Sequence, residues 1–279
     1  MRVIIARNAH QALTESCYQL EHFGQADDNG GKVLPIPTTS TILNPQERVA
    51  LYEGLDPFDA LLGGAQDMAE HRLRHVSHCA AALKRDPATQ VTLRGGDCES
   101  LGAVYVQVDM DGKVMLMATR HSSEVTLDPR DMVYLSFVME YIAITTKRPV
   151  GALWITTMRP TCWVDRLPIV QAIAKHAPEP PAQFDDPYSS EAITNTVPFM
   201  SIPRGRFDRE LIQFFSAFDT VEYIDPFIQN VLAPAHRAHT LHTSGAPLAQ
   251  VQRAIGEIAA QDWMQACLLY VNTCTPPTE

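Results

Sequence analysis

The 279-residue sequence lacks most of the features that assign a chain to a well-marked class. It has no apolar run near the roughly 18–20 residues that a helix needs to span a bilayer. The apolar N-terminal stretch stops at Arg7, too soon for a secretory signal, so we predict a cytoplasmic protein. Basic residues are few, 22 Lys and Arg against 32 Asp and Glu. With a net charge of −10 we expect no direct nucleic-acid binding, and an anionic ligand would need a local basic cluster.

Common signatures of nucleotide, metal and hydrolase sites are also missing. The sequence has no glycine-rich dinucleotide or phosphate loop, no H-E-x-x-H and no G-x-S-x-G. Its six cysteines form no C-x-x-C pair, which favours reduced thiols over disulfides. Two histidine groups have helical spacing, but neither has a carboxylate or second thiolate at ligand spacing, so we predict no metal site. These groups are His71, His75 and His78, and His236, His239 and His242.

Residue patterning in the middle of the chain predicts a mixed α/β domain. Two β-prone runs, Ala103–Val108 and Lys113–Thr119, flank turn residues and predict a hairpin. Arg130–Ala143 follows Asp128 and Pro129, which are typical of a helix start. This helix is apolar nearly all round, which is typical of a helix buried at the centre of a domain.

The ends of the chain suggest a division into two parts. Val3–Ala6 predicts a short strand that leads into a helix over Ala9–His22. Three helical stretches close the chain, Asp208–Phe218, Pro226–His242 and Leu248–Tyr270. We therefore predict an α/β domain over residues 1–206 and a helical extension over residues 207–279 that packs on it.

The stretch from Leu83 to Asp165 resembles the thymidylate synthase superfamily, which includes the deoxypyrimidine hydroxymethylases, and in particular the synthase-like proteins of bacteriophages. The resemblance implies a mixed sheet layered with helices around a buried central helix, with a helical C-terminal appendage. It also implies a homodimer formed through the sheet face and, for a phage protein, a location in the host cytoplasm. The motifs that carry it are Asp111-Gly112-Lys113, His121-Ser122-Ser123-Glu124, Asp131–Ala143, Pro149-Val150-Gly151, Ala6–Leu13, Asn44–Val49 and Ile258–Trp263.

In that family a cysteine thiolate adds to C6 of a pyrimidine nucleotide and activates C5 toward a one-carbon unit. The donor, 5,10-methylenetetrahydrofolate, is the cofactor that the resemblance implies if this chain is catalytic. The nucleophile position falls on Ser100 or Leu101, and Cys98 stands two or three residues early. Cys98 and Ser100 are therefore both candidates.

The resemblance also assigns the substrate-binding positions, several of which are changed. The family's arginine pair falls on Gln90-Val91 and its motif arginine on His121, so Arg94, Arg120 or Arg159 would have to substitute at the phosphate. Ser122 matches the motif, and Glu124 replaces its acid on the cofactor side. Asp131 stands where the family reads the base edge, and an acid there suits cytosine; alternatively, it is a first-turn acid that the helix dipole stabilises. The sugar contact falls on Thr161-Cys162-Trp163.

Two function hypotheses follow, and the joint loss of nucleophile, arginine pair and sugar contact favours the first. In it the chain is a non-catalytic structural or regulatory subunit of phage pyrimidine-nucleotide metabolism, as a homodimer or paired with an active paralogue. In the second it is an active transferase that modifies C5 of dUMP or dCMP for DNA hypermodification. An unrelated α/β binding module is a third alternative.

Overall fold

The computed structural model describes residues 1–49, 52, 54–71, 73–94, 101–120, 129–176, 207–216, 223 and 225–274. The chain divides into two compact units. The first unit comprises Met1–Arg48 and Arg74–Phe184, and the second comprises Val49–Leu73 and Asp185–Glu279. The predicted domain boundary at residue 206 lies outside the described residues.

The first unit contains a six-stranded mixed sheet with the strand order β1-β4-β8-β7-β6-β5. The pairs β1/β4 and β7/β8 are parallel, and the other pairs are antiparallel. The short strands β2, β3 and β9 form a separate three-stranded sheet. The strands are β1 (Arg2–Ala6), β2 (Gln25–Ala26), β3 (Lys32–Val33), β4 (Thr38–Ile42), β5 (Val91–Arg94), β6 (Leu101–Val108), β7 (Val114–Arg120), β8 (Val150–Thr157) and β9 (Thr161–Cys162).

The six-stranded sheet has one face in the core and one face open. Burial alternates along its strands, as the two-residue period of a strand requires. We call the second face the open face; one row crosses it from Ile5 through Thr41, Trp154 and Met117 to Tyr105. The open face is therefore mainly apolar and threonine-rich.

The predicted hairpin is confirmed as β6 and β7. Its turn closes where the Asp109 N–H donates to the Lys113 carbonyl at 2.9 Å. Gly112 has φ 79°, a conformation that glycine adopts without steric cost. Turn residues and strand propensity were thus enough to place this element.

The predicted buried helix is also confirmed. Helix α4 (Pro129–Thr146) is buried at every position from Asp131 to Glu140. It packs on the buried face of the sheet against β7 and β8. The other helices of this unit are α1 (Ala9–Phe23), most of α3 (Leu73–Arg85) and α5 (Leu167–Ala174).

The described part of the second unit is helical. It contains α2 (Gly64–His71), α6 (Phe207–Ser216), α7 (Ala233–Thr243), α8 (Leu248–Ile255) and α9 (Gln261–Cys274), with π-helical turns at Asp59–Gly63 and Ile228–Leu232. The predicted helical stretch Leu248–Tyr270 is two helices, because the chain turns at Gly256 and the Ala259 N–H donates to the Asn230 carbonyl. In the part of the chain that the structure describes, no helix is long and apolar enough to cross a membrane.

Candidate functional site

A buried ion pair joins the end of β7 to the start of α4. Arg120 is the last residue of β7 and follows Leu116 and Ala118 on the buried face. Its Nη2 lies 3.2 Å from Oδ2 of Asp131, the third residue of α4. The two side chains are only 3% and 5% exposed. A guanidinium and a carboxylate are thus held together inside the first unit.

Arg120 keeps hydrogen-bonding capacity beyond this pair. Its Nε and Nη1 atoms are buried and have no hydrogen-bond partner among the described residues. A buried donor without an acceptor costs about 1–3 kcal/mol. An acceptor beside these atoms would remove this cost.

Several predicted site residues belong to segments that join the sheet beside this pair. Arg120 is opposite Leu101 of β6 and Thr157 of β8, and its carbonyl accepts from the Met158 N–H at 3.3 Å. Residues 95–100 lead into Leu101, and residues 121–128 follow Arg120. The candidates in these segments lie outside the described residues: Cys98, Ser100, His121, Ser122 and Glu124.

The two other arginines considered for the phosphate lie at strand ends. Arg94 ends β5, where its backbone pairs with Ala103, and its side chain is outside the described part. Arg159 is exposed and follows Met158, the residue that bonds to the Arg120 carbonyl. Arg159 is therefore an accessible cation one residue beyond a direct neighbour of Arg120.

The sequence offered two roles for Asp131, and the structure adds a third, the counter-charge of Arg120. Two features of the sequence point to this ion pair. One is an arginine at a core-facing position of an alternating strand, and the other is an acid in a helix that is apolar all round. Each buried charge needs an opposite charge nearby. Together they could have identified the pair.

The predicted sugar-contact residues lie in and directly after the last strand of the three-stranded sheet. Thr161 pairs with Val33 of β3, and Cys162 is buried. Trp163 is 51% exposed, and its carbonyl accepts from the N–H groups of Arg166 and Leu167 at 3.1 Å. These contacts hold the start of α5 and do not link Trp163 to Arg120.

A second buried ion pair, which the sequence analysis missed, holds the middle of α4. Nη2 of Arg48 lies 3.0 Å from Oε1 of Glu140, with side chains 1% and 2% exposed. Gln46 donates to the same oxygen at 2.9 Å, and Arg48 lies over the Phe137 ring at 4.8 Å. Burial raises the pKa of the Glu140 carboxyl, while Arg48 and Gln46 act in the opposite direction.

The segments Ala6–Leu13 and Asn44–Val49, both part of the family resemblance, meet at Glu47. Its carboxylate accepts from Arg7 and Asn8 at 3.0 Å and from Asn44 at 2.6 Å. Asn8 also caps α1, where its Oδ1 accepts from the Gln11 N–H. Glu47 thereby fixes the start of α1 to the segment that carries Arg48.

Of the five described cysteines, four are buried and Cys274 is exposed. Cys17, Cys79, Cys162 and Cys267 are buried. Burial raises the pKa of Cys79, and burial with the nearby carboxylates Asp56 and Asp262 raises the pKa of Cys267. Among the described residues no group of three His, Cys, Asp or Glu side chains could hold a metal ion.

Comparison with known proteins gives one relative that spans nearly the whole chain. No protein-family model matches. A deoxyuridylate hydroxymethyltransferase of Pseudomonas phage M6 is 28% identical over 332 aligned positions, which cover 98% of this chain and 94% of that protein. The thermostable thymidylate synthase A of Bacillus subtilis superposes with a TM-score of 0.45 and 11% identity, covering 61% of this chain and 84% of that chain. The chain is thus similar over nearly its full length to a phage deoxyuridylate hydroxymethyltransferase.

Proposed function

We propose that this chain is a transferase that adds a hydroxymethyl group to C5 of deoxyuridylate, with the uracil edge bound at Arg120 and Asp131. The observation that carries the proposal is that the buried Nε and Nη1 donors of Arg120 have no acceptor among the described residues. The phage relative, a deoxyuridylate hydroxymethyltransferase by name, supports the choice of substrate. The proposal differs from the non-catalytic hypothesis that the sequence alone favoured.

The chemistry of the Arg120–Asp131 pair supports recognition of a pyrimidine edge. Uracil presents the O4 acceptor beside the N3–H donor, and an unaccompanied carboxylate would repel O4. With Arg120 beside it, the guanidinium donates to O4 while Asp131 accepts from N3–H. The pair carries no net charge, so the phosphate needs another cation. Arg159 and Arg94 are our candidates for that role.

The energetic cost of this pair supports a ligand-binding role. A buried ion pair seldom repays its desolvation, and apolar residues of similar volume often stabilise a protein as well or better. Unsatisfied N–H groups on Arg120 add to that cost. A ligand that fills these donors explains why such an arrangement is kept.

The covalent steps require a thiolate, and we assign that role to Cys98. Its thiolate would add to C6 and make C5 nucleophilic, and the folate would supply the one-carbon unit that C5 binds as it loses its proton. Water would then add to that carbon as the hydroxyl group while the C6–S bond breaks and returns the Cys98 thiolate. Methylenetetrahydrofolate is the proposed one-carbon donor, and tetrahydrofolate is released. We propose that His121 and Ser122 contact the nucleotide and that Glu124 lies on the folate side.

A covalent-trapping experiment tests this function. The protein is incubated with 5-fluoro-deoxyuridylate and methylenetetrahydrofolate, and its intact mass is measured. We expect one adduct in the wild type, none in Cys98→Ser, and an unchanged adduct in Ser100→Ala. Cys274→Ser is the matched cysteine control because Cys274 is an exposed thiol in the other unit. A wild type that forms no adduct under these conditions contradicts the catalytic proposal.

A second candidate, the non-catalytic subunit, is favoured by the residues at the family's functional positions. The nucleophile position holds Ser100 or Leu101, and the arginine pair is replaced by an exposed Gln90 and a half-buried Val91. In this case the protein binds deoxyuridylate in calorimetry without forming the adduct. Restored turnover on mixing with an active paralogue would then identify it as a partner subunit.

We further propose that the open face of the six-stranded sheet is the dimer interface. Val3 and Ile5 of β1 are 58% and 72% exposed there, and Trp154 of β8 lies in the same cross-strand row as Ile5. A second copy of this chain would bury these apolar side chains; an active paralogue is the alternative partner.

A further inference from the structure

We infer that Arg48 and Glu140 are positioning residues, which hold α4 so that Asp131 stays aligned with Arg120. The inference rests on the proposed function, since it concerns the same nucleotide site. Glu140 and Asp131 belong to the same helix, so a contact at Glu140 can act on Asp131 through α4.

The two ion pairs contact α4 on opposite sides. Asp131 and Glu140 are nine positions apart, which corresponds to about two and a half helical turns and a rise of about 13 Å. Their side chains therefore leave the helix in opposite directions. The start of α4 is fixed to the sheet through Arg120, and its middle is fixed to residues 44–48 through Arg48.

We call residues 44–48 the clamp segment. Its Glu47 binds Arg7 and Asn8, while Gln46 and Arg48 on either side bind Glu140. The backbone is fixed as well, because the Asn44 N–H donates to the Arg7 carbonyl at 2.7 Å. The clamp segment is thus anchored to the start of α1 before it reaches α4.

Arg48 contacts two side chains on one face of α4. It pairs with Glu140 and covers the ring of Phe137, which lies three positions earlier. Residues three apart are neighbours on a helix surface. The planar guanidinium therefore resists both sliding of α4 along its axis and rotation about it.

A role in stability alone would not require charged residues here. Buried ion pairs contribute little net stability, whereas a well-placed polar pair can select one arrangement of packed elements. A stabilising role and a positioning role can therefore be distinguished by experiment. An apolar replacement of both partners would maintain stability but remove the directional contact.

The test compares Arg48→Met/Glu140→Leu with the wild type by thermal unfolding and by calorimetric titration of deoxyuridylate. We expect a similar melting temperature and a Kd raised about tenfold, because small displacements of binding groups are costly. Lys32→Met/Glu21→Met is the matched control, since it removes an ion pair that does not involve α4. A double variant that is as stable as the wild type and binds deoxyuridylate with the same Kd would overturn the inference.

A second readout does not depend on nucleotide binding. The side-chain Nε–H signal of Arg120, assigned by its loss in Arg120→Lys, is followed by NMR in the same variants. We expect this signal to shift in Arg48→Met/Glu140→Leu and to keep its wild-type position in the Lys32→Met/Glu21→Met control.

If the double variant does not fold, Arg48→Lys, which keeps the charge but loses the planar group, is measured instead. A wild type that does not bind deoxyuridylate contradicts the proposed function, whereas an unshifted Arg120 signal contradicts the positioning role.

Discussion

Asp225 is a fully buried carboxylate at the start of a helical segment in the second unit. Its Oδ1 accepts from the N–H groups of Phe227 and Ile228 at 3.0 and 3.2 Å. Burial raises the pKa of Asp225, and the nearby Glu210 carboxylate raises it further. The folded state therefore binds this proton more tightly than the unfolded chain does.

This raised pKa predicts how stability changes with pH. The stability that protonated Asp225 contributes to the folded state is fully present below the ordinary pKa of an aspartate. This stability is lost as the pH rises through the raised pKa. We expect Asp225→Asn, which keeps an acceptor oxygen, to remove that loss. Urea unfolding at pH 4 and pH 7.5 should show the variant gaining stability relative to the wild type as the pH rises. A difference that does not change with pH would contradict this prediction.

At the candidate site, the sequence predicted individual residues better than their partners. Asp131 was identified from the resemblance, and Arg120 only as a substitute for a missing arginine. Their pairing depends on how a strand end and a helix start meet in three dimensions. The Arg48–Glu140 pair was missed for the same reason, because its partners are far apart in the sequence. Charged residues within apolar patterns were the available signal.

At the scale of elements, local patterns were predicted and long-range pairings were not. The hairpin and α4 are defined by neighbouring residues, and both were confirmed. The three-stranded sheet was not predicted, because its strands have two residues each and join Val33 to Thr161. Strands this short leave no periodic signal. The two π-helical turns likewise have no distinct residue pattern.

Gly151 gives a prediction for the contact between β7 and β8. A Cβ at this position would lie 2.9 Å from the Val114 carbonyl oxygen, which belongs to the backbone and has little freedom to move. We expect Gly151→Ala to push the parallel strands apart and to lower the free energy of unfolding by about 1–3 kcal/mol. Chemical denaturation measures this loss. Gly245→Ala is the comparison variant for backbone strain. A Cβ at Gly245 would have no atom within 4 Å, but the residue has a φ of 74°, so any loss of stability there comes from the backbone and not from steric overlap. A Gly151→Ala protein with wild-type stability would show that the strand pair tolerates the methyl group.

At the scale of the whole molecule, the open face predicts self-association. Burial of its apolar row is favourable in proportion to the area removed from water. We expect a dimer by light scattering at micromolar concentration, and a monomer for Trp154→Glu, which places a charge in the centre of the row. Trp163→Glu is the control, because Trp163 is exposed and follows β9 of the other sheet of the same unit. A monomeric wild type, or a dimer that persists in Trp154→Glu, would rule out this interface.

The Arg48–Glu140 pair also has an evolutionary consequence. Loss of either partner would leave a charge buried inside the first unit, which is strongly destabilising, whereas an apolar exchange of both is tolerated. Single-step changes at these positions should therefore be selected against. In related sequences that bind the same nucleotide, the two positions should hold arginine with an acid, and combinations of one charged and one apolar residue should be rare.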